Sequence, residues 1–189
     1  DDYQGGYIAG KHLLELGHRH FLYLPGPKYN LSQTRRYAGI MDALSEANVP
    51  ASNIREIDYH TVFGSSAEST SSYKPYEELF FPVNYTAVIG FNDLQSYSAM
   101  EILQKKGYRI PEDISLISFD HLRKTHTYLP PLTSIADNSE KSIADTAVSI
   151  LLDKIRNPSS EISSEVLPVS IFDDHTTGPI NETFAHSFE

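Results

Sequence analysis

Cysteine is absent from the 189-residue chain, so neither a disulfide framework nor a thiolate zinc site is available. That absence suits a cytoplasmic protein. Tryptophan is absent too, but 12 Tyr and 9 Phe within a 40 % apolar composition leave ample material for a core. Basic residues are scarce: 15 Lys and Arg against 25 Asp and Glu give a formal charge of -10. An acidic surface repels phosphate backbones, so these residues alone make a poor nucleic-acid binder. No apolar run approaches the ~18 residues of a membrane span. The opening Asp1-Asp2 is unlike the basic and then apolar start of a secretory leader.

Catalytic signatures are also missing. There is no GxSxG, GxxxxGK[ST] or HExxH, and Gly5-Gly6 with Gly10 does not make GxGxxG. His18 and His20 flank Arg19 at a strand start and read as a solvated pair. His121 and His126 share a loop without a third metal ligand. Glu112-Asp113 follows Pro111 and reads as turn chemistry.

What is present is a repeated pattern of short apolar runs that end on polar side chains. Ile114 to Phe119 ends on Asp120, Thr86 to Phe91 on Asn92-Asp93, and Ile54 to Asp58 on Tyr59-His60. His20 to Leu24 is a further strand, closed by Pro25-Gly26-Pro27. Asp120 and Asn92 are either caps of the next helix or turn, or ligands at a sheet edge.

Helices alternate with these runs. Asp1 or Asp2 can cap a helix over Tyr3 to Leu16, whose Gly5, Gly6 and Gly10 fit close packing. Ser32 or Thr34 opens a helix to Ala47, with Arg35 and Arg36 in its first turn. Cations there oppose the helix dipole unless an anion or polar ligand compensates. Leu94 to Lys106 is the next helix. Ser139 can cap another to Arg156, striped by Ile143, Ala147, Ile150, Leu151 and Ile155. SSAESTSS (65–72) reads as a helix start or a flexible loop. Leu132 to Ile135 reads as a short extended crossing, Glu165 to Phe172 as an edge strand because of Pro168, and 178–189 as a frayed tail.

Strand and helix alternate four times, which predicts an α/β fold: a parallel sheet flanked by helices. Ligands of such sheets bind outside the carboxyl ends of the strands. Those ends carry Lys28 to Arg36, Tyr59-His60, Asn92-Asp93 and Asp120. A cation, an aromatic, an amide and a carboxylate on one rim suit a polyhydroxylated ligand.

Five stretches resemble the LacI/GalR family of bacterial transcription regulators in that family's order and spacing. They are GGYIAGKHLLELGHRHFLYLPGP (5–27), RRYAG (35–39), VIGFND (88–93), IPEDISLISFD (110–120) and PPLTSIAD (130–137). The resemblance covers about residues 1–172. It implies the effector-binding region, a lobe of the type I periplasmic-binding-protein fold and part of a two-lobe clamshell. Residues 1–137 would be the second lobe, 138–164 would cross back to the first, and 165–177 would return to the second lobe or hinge. Residues 178–189 form a tail. The DNA-binding domain and most of the first lobe lie outside these residues.

By the same resemblance, effector ligands fall on Arg36 (the Arg of R-x-x-G, with Gly39 in register), Asn92, Asp120 and Asp137, and an aromatic on Tyr59. The sequence departs from the family at His121, where a second Asp is usual, and at Asp137, where Gln is usual. It departs again at Asp173-Asp174-His175-Thr176, where Arg-x-Ser/Thr is usual, and at Pro75. The implied function is sensing of a sugar or sugar derivative by a cytoplasmic homodimer. Operator DNA would be reached only through the absent N-terminal domain, with no cofactor, no metal and no membrane. An exported sugar-binding protein of a transport system is the alternative. A sugar-modifying enzyme is a weaker third reading, since no nucleophile–base pair or metal set is visible.

Overall fold

The computed structural model describes residues 1–57, 76–139, 142–161 and 164–186. Six strands form one sheet in the order β2-β1-β3-β4-β5-β6. They are β1 (Phe21–Leu24), β2 (Ile54–Glu56), β3 (Ala87–Gly90), β4 (Ser115–Phe119), β5 (Ser134–Asp137) and β6 (Val169–Phe172). All pairings are parallel except β5 with β6, which is antiparallel.

The central strands β1, β3 and β4 are buried throughout and largely apolar because both faces are covered. Phe21, Tyr23, Ile89, Ile117 and Phe119 point to one face, beneath α1 (Asp2–Glu15) and α2 (Leu31–Glu46). Leu22, Leu24, Val88 and Leu116 point to the other, where Ala99, Met100 and Leu103 of α3 (Asp93–Lys105) cover them. The result is an α/β/α sandwich with two cores, one on each side of the sheet. The 3-10 turn Tyr76–Phe80 buries Phe80 in the second core.

The two glycine motifs act on each other. A Cβ on Gly6 of α1 would overlap the carbonyl of Arg36, and one on Gly39 of α2 would overlap the carbonyl of Tyr3. The helices therefore touch backbone to backbone, the close packing that Gly6 predicted.

Several expectations are corrected. β5 is a full parallel strand of the sheet, not a crossing; Thr133 and Ser134 hid it because they are polar yet buried. α2 begins one residue before Ser32 and is capped by Asn30, whose Oδ1 accepts from Ser32 N and Gln33 N. α4 (Ile143–Arg156) is capped by Ser142 rather than Ser139. The edge strand starts at Val169, so Pro168 precedes it.

Residues 178–186 are docked rather than frayed. Gly178 N donates to Ser115 Oγ at 3.0 Å, and Ile180 N donates to Leu16 O at 2.9 Å. Asn181 then caps α5 (Glu182–Ala185), and Phe184 meets Tyr108 edge-on at 5.9 Å.

His18 is not solvated. It is buried, with Nδ1 2.9 Å from Thr86 Oγ1 and Nε2 2.9 Å from Ser115 Oγ and 3.1 Å from Gly178 O. SSAESTSS, Pro75 and the end of the Ile54 to Asp58 run lie outside the described residues. No helix among the described residues is long and apolar enough to cross a membrane.

Candidate functional site

The carboxyl ends of β4 and β5 and the N-terminus of α1 surround a cleft of about 320 Å³. Arg36, Asp120 and Asp137 all line it. They reach it by three routes. Asp120 follows the last residue of β4, Asp137 closes β5, and Arg36 projects from α2, which Gly6 and Gly39 bring hard against α1.

Arg36 is the centre of the arrangement. Its Nε donates to Asp2 Oδ1 at 2.8 Å, NH1 to Phe91 O at 2.6 Å and NH2 to Asp120 Oδ1 at 3.3 Å. The guanidinium carbon lies 5.0 Å from the ring centroid of Phe91 and 4.5 Å from that of Phe119. Three of its five N–H groups are thus committed, and two aromatic faces fix its plane. The side chain is 13 % exposed, whereas that of Asp120 is 43 % exposed and keeps Oδ2 without a partner among the described residues. Arg36 falls in the second turn of α2, not the first, and its charge is answered by Asp2 and Asp120.

Four aspartates (Asp1, Asp2, Asp120, Asp137) line the cleft against one guanidinium, so its side chains carry net negative charge. Such a rim repels anions and accepts hydrogen bonds from hydroxyl groups. Asp137 Oδ1 accepts from Ser139 Oγ at 3.0 Å. Ile135, Val169 and Leu167 supply apolar wall.

Asn92 is placed differently. It is the N-cap of α3, with Oδ1 accepting from Gln95 N at 3.0 Å, and it does not line the cleft. The capping role therefore takes its carbonyl, while its neighbour Phe91 gives a carbonyl to Arg36. Tyr59 lies outside the described residues.

Asp2, read as a cap candidate, and Phe91 and Phe119, read as strand ends, were not among the expected site residues. The two phenylalanines stand directly before Asn92 and Asp120, a shared Phe-polar ending that marks them in retrospect. Asp2 gives no local signal, because its partner is 34 residues away.

Behind the cleft wall, Asp93 is 1 % exposed. Burial pushes its carboxyl above the usual range, and the negative charge of Asp120 adds a lesser push; bonds from Leu122 N and from Ser134 and Ser118 act the other way. Among the described residues, no group of three or more His, Cys, Asp or Glu is arranged to hold a metal ion.

The profile of the periplasmic binding protein-like domain matches residues 11–177. The chain is 35 % identical over 170 residues to the HTH-type transcriptional repressor PurR of Escherichia coli, covering 88 % of this chain and 47 % of that protein. It is 33 % identical over 156 residues to PurR of Mannheimia succiniciproducens, covering 82 % of this chain and 45 % of that protein. The chain thus spans about half the length of these curated relatives. Among solved structures it resembles a LacI family transcriptional regulator from Enterococcus faecium with bound ribose. That match has a TM-score of 0.77 at 27 % identity and covers 96 % of this chain and 64 % of that one. It also resembles a dimeric Lac repressor, with a TM-score of 0.75 at 26 % identity, covering 96 % and 63 % of the two chains. Fold, motifs and matched length agree: the chain belongs to the periplasmic binding protein-like domain family, in the form found in LacI/GalR-type regulators.

Proposed function

We propose that this chain is the effector-binding part of a LacI/GalR-type transcriptional regulator and takes a sugar or sugar derivative at Arg36, Asp120 and Asp137. The observation that carries the reading is the Arg36–Asp120 pair in a net-negative cleft at the carboxyl edge of the sheet. Asp120 keeps one oxygen free to accept from a ligand hydroxyl, and Arg36 keeps two N–H groups to donate. The resemblance also names Asn92, which caps α3 outside the cleft lining, and Tyr59, which lies outside the described residues. The Enterococcus faecium neighbour, which holds ribose, supports this ligand class.

The other wall of the cleft belongs to sequence outside these residues. So does the DNA-reading head, since the acidic chain carries a charge of -10. The effector would shift the protein between DNA-binding and released arrangements through its different affinity for the two. The protein acts as a cytoplasmic homodimer that binds without turnover. The outer face of α3 suits self-pairing: exposed Leu94 lines a groove with Tyr97, Met100, Leu129 and Pro130, edged by the polar Glu101, Gln104 and Lys105.

The test is calorimetry of the intact protein with D-ribose and other pentoses and hexoses. Asp120→Asn keeps the shape and removes the charge. It should weaken binding by about 1.5–3 kcal/mol, roughly 10- to 150-fold, the range for hydrogen bonds to charged groups. An unchanged affinity alongside a lowered melting temperature would assign Asp120 to structure and overturn the site.

A further inference from the structure

The turn that presents Asp120 is held against its own preference. Asp120 has φ +97° and His121 has φ +48°, two successive side-chain-bearing residues in the left-handed region. Positive φ is uncommon for residues with side chains, although Asp and His tolerate it better than most, and two in succession need neighbouring contacts to hold them. Asp120 N donates to Ile135 O at 2.9 Å, and His121 N donates to Ser134 Oγ at 3.0 Å. Leu122 N donates to Asp93 Oδ2 at 2.7 Å. Ser134 Oγ, which receives the His121 N–H, donates in turn to Asp93 Oδ1 at 2.8 Å. Two of the three consecutive N–H groups of the turn therefore end, directly or through one hydroxyl, on a single carboxylate.

That carboxylate is placed at a cost. Asp93 is 1 % exposed, forms no ion pair among the described residues and feels the like charge of Asp120. Burying a carboxyl group is unfavourable unless hydrogen bonds compensate. Capping of α3 does not need it, because Asn92 already does that. One oxygen takes the N–H of Leu122 and the other the hydroxyl of Ser134, both tied to the turn, with a further bond from Ser118 of β4.

We propose that Asp93 is a positioning residue for the effector site: it fixes the left-handed Asp120–His121 turn and so aims Asp120 at Arg36. The effect on affinity rests on Asp120 being an effector ligand, whereas the hold on the turn stands on geometry alone.

Both parts are read on the intact protein with the variants Asp93→Ala and Asp93→Asn. Arg123 and Lys124 stand just past the turn and report its release to trypsin; Arg156, at the end of α4, reports general opening. Asp93→Ala should speed cleavage after Arg123 or Lys124 about 10-fold or more, with the rate after Arg156 unchanged, as expected of local release. Asp93→Asn should stay within about 3-fold of the parent, because an amide can accept from Leu122 N and donate to Ser134 Oγ. With D-ribose as probe, Asp93→Ala should weaken binding about 10-fold. Added to Asp120→Ala it should cost nothing more, since the two residues act as one unit. Parent-like cleavage in Asp93→Ala, or equal acceleration at both sites, overturns the proposal. If Asp120→Asn leaves ribose binding unchanged, the ligand reading fails, and the cleavage pattern still decides the role of Asp93.

Discussion

Burial makes protonation of an imidazole unfavourable, and His18 shows how far. The ring is 1 % exposed, and burial pulls its pKa from 6.5 down to about 4, although the Gly178 carbonyl opposes the shift. This fixes the sign of the pH dependence. Above pH 6.5 the ring is neutral in both folded and unfolded chains. Between 6.5 and about 4 the unfolded ring takes a proton that the folded ring refuses, so stability falls as pH falls. Below about 4 the loss is complete, at roughly 3 kcal/mol. The raised carboxyl of Asp93 works in the other direction, since its favourable contribution is lost as pH rises. Comparison of variants isolates the histidine. In urea titrations at pH 7.5, 5.5 and 4.5, His18→Gln should lose markedly less stability with acidification than the parent. Parallel profiles would show that some other group sets the acid limit. No local pattern marks this burial, because the partners of His18 lie 68, 97 and 160 residues away.

At the scale of elements, the contact between α1 and α2 joins fold to site. Gly6 and Gly39 have no room for a Cβ, and the approach they permit sets Asp2 beside Arg36. Gly6→Ala must push the helices apart against backbone, which should cost about 2–3 kcal/mol, at the upper end of overpacking. Gly107 is a contrast: it has φ +90° and open space around it, so Gly107→Ala should cost about 1 kcal/mol through backbone strain alone. Thermal unfolding orders the two, and Gly6→Ala should also weaken effector binding by disturbing the Asp2–Arg36 pair. Equal losses in both would remove the close contact as the cause.

Elements were legible where burial and hydropathy coincide, as in Phe21–Leu24 and Ala87–Gly90. They were hidden where buried residues are polar, as in Thr133 just before β5 and Ser134 at its start. Helix bodies were legible from their apolar stripes, while their starts moved to Asn30 and Ser142 because several cap-competent residues stood in a row. Of the residues lining the candidate cleft, Arg36, Asp120 and Asp137 were legible through short motifs. Asp2 was not, since an ion pair across 34 residues leaves no local pattern.

At the scale of the whole molecule, α4 is the element that these residues do not explain. Its Ile143, Val148, Leu151, Leu152 and Ile155 are exposed, and Thr146 is its one residue buried among the described contacts. An apolar stripe of this kind on a soluble helix belongs under another layer. The chain spans about half of its curated relatives, and the stripe begins beside the cleft, at Ile143. Both facts would suit a cover supplied by a second lobe of the proposed clamshell. Leu151→Glu separates the alternatives. In a fragment of residues 1–189 the side chain meets water, so the change should leave the melting temperature nearly unaltered and reduce binding of an apolar dye. In the intact protein it would bury an unpaired carboxylate, and the loss should be about 3 kcal/mol or more. A melting temperature unaffected in the intact protein would mean that α4 stays uncovered there, and that the second wall of the cleft lies elsewhere.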